Sequence, residues 1–197
     1  MPAPVDHDAR RADVARGVWS VLERDGFAGL SLRKVAAEMG ATTGLIAHYF
    51  TGKDELVEFA LDLLHARTDS RPVTLTADED DVLAELRRRL LIVLPLDEET
   101  TRLNRIWISY WGVALADPHH SRREAARYDA WRGRLRPLVH AAVKQGRLAP
   151  APVKHIVDLL TSATHGLAVQ AVLDPRRLPP PVLEREIDLL LHALGSR

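Results

Sequence analysis

Apolar residues recur along this chain at spacings of three and four, the period of a helix packed on one side. Val14, Val18, Val21 and Leu22 form the first such stripe. It predicts a helix ending at Asp25-Gly26, with Gly26 as a left-handed cap. Ser31 is an N-cap type of residue standing before Leu32, Val35, Ala36 and Met39, and Gly40 stops that second helix. Ala41, Thr42 and Thr43 lead into a short apolar segment that reaches Phe50. Thr51-Gly52 punctuates, and a fourth helix opens at Lys53 with Leu56, Phe59, Ala60, Leu63 and Leu64 on its apolar side. Residues 70–77 read as a linker, and Thr76 with Glu79 as a capping box. The helix behind it carries Val82, Leu86, Leu90 and Val93, and Pro95 closes it. Asp97 caps a sixth helix running through Trp107 and Trp111 to about Ala116. Asp117-Pro118 starts a seventh, kinked at Pro137, which lacks the N–H that the Gly133 carbonyl would accept. An eighth helix follows Pro152, and a ninth carries Leu183, Ile187, Leu190, Leu191 and Leu194. Strand-like alternation and internal repeats are absent from the pattern. The expectation is an all-α fold of about nine helices. Residues 8–68 form an N-terminal three-helix domain, and residues 69–197 a C-terminal helical domain.

Composition narrows the classes. With 197 residues and 46% hydrophobic content the chain buries a sizeable core. It has no cysteine, which excludes disulfides, thiolate-bound metals and thiol nucleophiles, and fits a reducing, cytoplasmic setting. The residues around Met1 lack the apolar core of a secretory signal. The eighth helix is interrupted by Asp158, Thr161, His165 and Gln170, so it reads as a core helix rather than a membrane span. His119 and His120 point about 100° apart on a helix and do not share an ion; they read as solvated helix-start residues. Arg87-Arg88-Arg89 and Arg122-Arg123 read as exposed faces balanced by Glu85 and Glu124. No phosphate loop or nucleophile elbow occurs, so an enzyme is not expected, nor is a metal or cofactor. The formal net charge of +0 argues by itself against nucleic acid. Locally the balance differs: between Ser31 and Lys53, Arg33, Lys34 and Lys53 face only Glu38.

That basic stretch coincides with the most specific pattern in the chain. Two short helices separated by Gly40-Ala41-Thr42 have the form of a helix-turn-helix. Phe27, Val35, Ala36, Ile46 and Phe50 are apolar where three helices must meet, and Thr42 or Thr43 caps the second helix of the motif. Phe27, Ser31, Val35-Ala36, Gly40, Thr42, Gly44, Tyr49-Phe50, Lys53 and Leu56 together resemble the N-terminal domain of the TetR family of bacterial regulators. The segment TTGLIAHYFTGKDEL is similar to the BetI-like branch, although Ala47 stands where the family commonly has Tyr. The resemblance implies that residues 43–50 form a recognition helix in the major groove. Ser31, Thr42, Tyr49 and Lys53 would hold phosphates, and Gly44 would let the backbone approach DNA. Arg33, Thr43, Leu45 and His48 would face base edges or thymine methyls. So short a reader implies a homodimer on a near-palindromic operator. Two readings compete with repression: an activator of the same family, or a helical interaction protein that no longer reads DNA.

In the second half, Trp107, Tyr110, Trp111, Tyr128 and Trp131 crowd into one 25-residue window. Trp107, Trp111, Tyr128 and Trp131, with Phe59, Leu63, Leu90, Leu94 and His165, read as walls of a pocket for a small and partly apolar effector. Convergent rings would suit a choline-like cation; core filling is the competing reading of each ring. The resemblance further implies that the last two helices pair with their copies, through Leu160, Leu167, Leu183, Ile187, Leu190 and Leu194. It also implies that effector binding releases DNA through the fourth helix.

Overall fold

A computed structural model describes residues 7–69 and 81–195. Among them are nine helices and no strand: α1 His7–Gly29, α2 Leu32–Glu38, α3 Thr43–Ala47, α4 Lys53–Asp69, α5 Val82–Leu91, α6 Glu98–Ala116, α7 Pro118–Lys144, α8 Val153–Leu173 and α9 Pro180–Ala193. The all-α expectation holds. The linker and the Thr76–Glu79 capping box lie outside the described residues; Asp81 caps α5, its carboxylate accepting from the N–H groups of Leu83 and Ala84. That helix stops at Leu91, four residues before Pro95.

The described residues form two compact units: 7–69 with 105–113, and 81–104 with 114–195. The middle of α6 therefore belongs with the N-terminal helices, which a boundary drawn along the chain does not capture.

In the first unit, the valine stripe of α1 is fully enclosed, together with Phe27, Val35, Ile46, Leu56 and Leu64. Gly26 does take a left-handed φ of 63°, yet the helix resumes for one more turn to Gly29. The break frees the Phe27 N–H, which donates to Ser109 Oγ on α6 at 3.0 Å, and the Phe27 and Tyr110 rings pack 5.0 Å apart. A Cβ at Gly26 would stand 2.8 Å from Ser109 Cβ, so both torsion and space demand glycine there.

In the second unit, Leu86, Leu90 and Leu94 pack with Leu135, Val139, Leu160, Leu183 and Ile187 in one core built from α5, α7, α8 and α9. Asp97 and Thr100 form a reciprocal capping box at the start of α6. Pro137 sits inside α7, which is continuous from Pro118 to Lys144. By length and hydropathy α8 passes as a membrane span. Its Ile156, Val157, Leu160, Ala168 and Ala171 are buried in this core instead.

Candidate functional site

The helix-turn-helix is built by two side-chain caps and a glycine. Ser31 Oγ accepts from the Lys34 N–H at the start of α2, and Thr42 Oγ1 accepts from the Leu45 N–H at the start of α3, both at 3.3 Å. Gly40, at φ 60°, turns the chain between them. The expected recognition helix is shorter than residues 43–50: α3 ends at Ala47. Beyond it the turn tightens, with His48 N–H bonded to the Leu45 carbonyl and Tyr49 N–H to that of Ile46. Ile46 and Phe50 anchor the segment in the core. Arg33, Thr42, Thr43, Gly44, His48 and Lys53 are exposed, while Ser31, Leu45 and Tyr49 are half-buried. Thus the candidate DNA-contacting residues lie on α2 and α3, at their caps, in the turn that follows α3 and at the first residue of α4, and each keeps some exposed surface.

Gly44 is informative. A Cβ there would meet nothing closer than Thr42 Oγ1 at 3.9 Å, so the subunit itself has no need of glycine at this position. Lys53 is presented by a turn that the sequence reading missed. Glu55 reaches back to accept from the Thr51 N–H at 2.7 Å and from its hydroxyl at 2.9 Å. Those bonds hold the Glu55 carboxyl below its ordinary pKa. The signal was present as a Thr-x-x-x-Glu spacing at a helix start.

Ion pairs with α1 leave the local charge excess as the sequence counts it and decide which cations carry it. Lys34 pairs with Asp25 at 2.8 Å, and Arg24 with Glu38 at 2.8 Å. The Lys34 hydrogen bond, with that of Arg24, lowers the Asp25 pKa. Among the four charges counted earlier, this leaves Arg33 and Lys53 as the exposed cations of the reading surface.

The expected pocket residues belong to both units. In the first unit, Trp107 packs on His65 at 5.2 Å and against Tyr110 at 6.2 Å, and Phe59 on Phe50 at 5.2 Å; Leu63 and Trp111 are half-buried. In the second unit, Tyr128 and Trp131 lie 4.9 and 6.4 Å from His165. Leu90 and Leu94 are 0% exposed and touch no space that water could enter, so here they are core filling rather than pocket wall. A separate open cleft of about 300 Å³ between α7 and α8 is lined by Asp129, Arg132, Arg136, Lys154, Val157 and Asp158, none of them expected as ligand residues.

Three of the expected dimer contacts need the same correction. Leu160, Leu183 and Ile187 are 0% exposed inside the subunit and have no surface to offer a partner. Leu167, Leu190 and Leu194 pack against that core but keep partial exposure. The exposed leucines of α8 and α9 are Leu159, Leu173 and Leu189. The stripe is apolar as expected, and Leu160, Leu183 and Ile187 of it are covered by their own subunit, because a stripe does not say which body covers it. His120 is buried rather than solvated, while His119 is exposed. Glu124 is also buried, and takes two hydrogen bonds from Arg127, at 2.9 and 2.5 Å.

Residues 19–60 match the family described as bacterial regulatory proteins, tetR family, and residues 83–195 match the C-terminal domain of BetI-type transcriptional repressors. The HTH-type transcriptional regulator PksA of Bacillus subtilis is 29% identical over 95% of this chain and 90% of its own. The regulator BetI of Stenotrophomonas maltophilia is 23% identical over 64% of this chain and 65% of its own. Among solved structures, a regulator of Saccharomonospora viridis in complex with choline superposes with a TM-score of 0.82. It is 19% identical, and the match covers 96% of this chain and 100% of that one.

Proposed function

Because the chain belongs to the TetR family of bacterial transcriptional regulators, with a BetI-type C-terminal half, we propose that it is a cytoplasmic, homodimeric repressor. A small molecule held in the larger domain releases it from operator DNA. The observation that carries this reading is the exposed array of Arg33, Thr42, Thr43, Gly44, His48 and Lys53 around α3, with a glycine the subunit does not itself require. A helix of five residues reads few base pairs. Two copies on a near-palindromic site supply the remaining specificity. The helix N-termini and the Ser31 and Thr42 hydroxyls bring donors to phosphate beside the two cations. The exposed Leu159, Leu173 and Leu189 give α8 and α9 the apolar surface that pairing of two copies needs. An effector that prefers one spacing of the two reading heads must weaken DNA binding by linkage.

A gel shift against the promoter of the protein's own gene tests the reading. Retardation of that fragment, competed by specific but not random DNA, is expected. Equal affinity for both would overturn it.

A further inference from the structure

Of the cations on the reading unit, one is tied down by a contact that requires a glycine beside it. Lys34, in the first turn of α2, donates from Nζ to Asp25 Oδ2 at 2.8 Å. Asp25 stands on α1, one turn before Gly29. A Cβ at Gly29 would overlap Asp25 Cβ and stand 3.2 Å from Lys34 Nζ. The φ of Gly29 is not left-handed, so space alone demands glycine there. Asp25 also accepts longer bonds from Arg24 Nε and Nη2, at 3.2 and 3.4 Å. The Lys34 bond first, and then Arg24, hold the Asp25 carboxyl below its ordinary pKa, so it stays charged at neutral pH. Glu38, the one acid of α2 and one turn beyond Lys34, is already engaged by Arg24 at 2.8 Å.

Lys34 stands among the residues expected to meet DNA. Its backbone N–H donates to Ser31 Oγ, and its neighbour Arg33 is exposed. Arg33 and Lys53 carry no such tie among the described residues. The Lys34 side chain is 42% exposed, so its ammonium is held at the surface and not in the core. A pair this open contributes little to folding. Its larger effect is on what the ammonium can do. A lysine is a flexible point charge that can meet a phosphate in any register along a duplex. Bonded to Asp25, it is neutralised, and taking a phosphate means giving up the carboxylate.

We propose that Asp25 is a specificity-determining residue of the DNA-binding unit: it withholds Lys34 from the phosphate backbone and so keeps affinity for random-sequence DNA low. Phosphate contacts carry no sequence information, and an operator must compete with every other site on the chromosome. On random DNA a freed Lys34 takes the best phosphate of any register. At the operator the base contacts fix the register, and the same side chain gains only what that register allows. Asp25 therefore suppresses the unwanted binding more than the wanted one. This rests on the reading of α2 and α3 as the surface that meets DNA.

Fluorescence anisotropy titrations of the full chain test it, at salt from about 50 to 200 mM. The probes are a random-sequence duplex and the promoter fragment of the protein's own gene. The proteins are the unaltered chain, Asp25→Asn, which keeps the shape and removes the charge, and Asp25→Asn combined with Lys34→Gln. Asp25→Asn should bind the random duplex about ten-fold tighter at the low-salt end, with a salt slope steeper by about 2 for a dimer. The promoter fragment should gain less, so the ratio of the two affinities falls. Adding Lys34→Gln should abolish the gain. Should Asp25→Asn fail to fold, Asp25→Ala carries the same comparison. Random-duplex affinity that is unchanged or weaker, or a gain equal on both duplexes, would overturn the proposal. So would a gain that survives Lys34→Gln, since the repulsion of the acid itself would then be its cause. If the unaltered protein binds neither duplex, the repressor reading falls and this inference with it. Promoter binding with no response to Asp25→Asn removes this inference alone.

Discussion

At position 44 the fold leaves room for a methyl group that the chain does not use. Gly44→Ala should therefore hold or raise the thermal unfolding midpoint, since alanine is better than glycine in a helix by roughly 0.5–1 kcal/mol. Operator affinity should fall about ten-fold or more in the same variant, a split that thermal melts and gel shifts read together. Lys53 predicts a different signature. Removing one phosphate contact per subunit with Lys53→Ala should flatten the plot of log affinity against log salt by about 2 for a dimer. A slope equal to that of the unaltered protein would take Lys53 off the phosphate backbone. His165 makes a prediction about acid. Its pKa is depressed in the fold from an ordinary 6.5, by burial first and then by Arg127 and Arg132, against the opposing pull of the Thr161 carbonyl and Glu124. The unfolded chain therefore takes up this proton more readily than the folded one. The cost is absent above the unfolded value and grows as pH falls from there toward the folded pKa. Chemical unfolding across pH 8 to 5 should show stability declining over that lower window, and His165→Asn should flatten the decline.

Helices were the most legible level, because caps and apolar spacing are local and act within a few residues. Ser31 and Asp97 were readable as caps from residue type and position, and Thr42 as one of two candidates beside Thr43; each of the three accepts a backbone N–H of its helix. Termini were less legible. α1 continues past Gly26, and Ser109, 82 positions beyond Phe27, accepts the Phe27 N–H that the break releases. No local pattern announces such a partner. The same limit explains the leucines of α8 and α9. Spacing shows that Leu160, Leu183 and Ile187 must be covered, but only the packing shows that their own subunit covers them. Which cations carry the charge of the reading surface is also a tertiary matter, since Arg24 and Asp25 on α1 pair with Glu38 and Lys34 on α2 and leave Arg33 and Lys53. The junction of α1 and α6 is testable as an element. Ser109→Ala strands the Phe27 N–H in a partly buried place, at a cost of about 1–3 kcal/mol. Hydrogen exchange at the Phe27 amide should accelerate accordingly, and an unchanged rate would show that the bond carries no weight.

For the whole molecule, the exposed Leu159, Leu173 and Leu189 are the surface that an assembled dimer should cover. Leu173→Glu with Leu189→Glu should shift sedimentation toward the monomer while leaving helicity intact, because neither side chain is buried in the subunit. A variant that stays dimeric would move the interface elsewhere. Gly26 sets a different kind of bound, on how far the molecule can diverge. Two independent constraints meet at that position, a left-handed torsion and a neighbour within 2.8 Å. A smaller residue at 109 would relieve the second and not the first, and it would delete the hydroxyl that satisfies Phe27. No single substitution elsewhere therefore makes another residue at 26 neutral. In descendants that keep this junction, position 26 stays glycine whatever residue stands at 109, while the reading surface remains free to change around it.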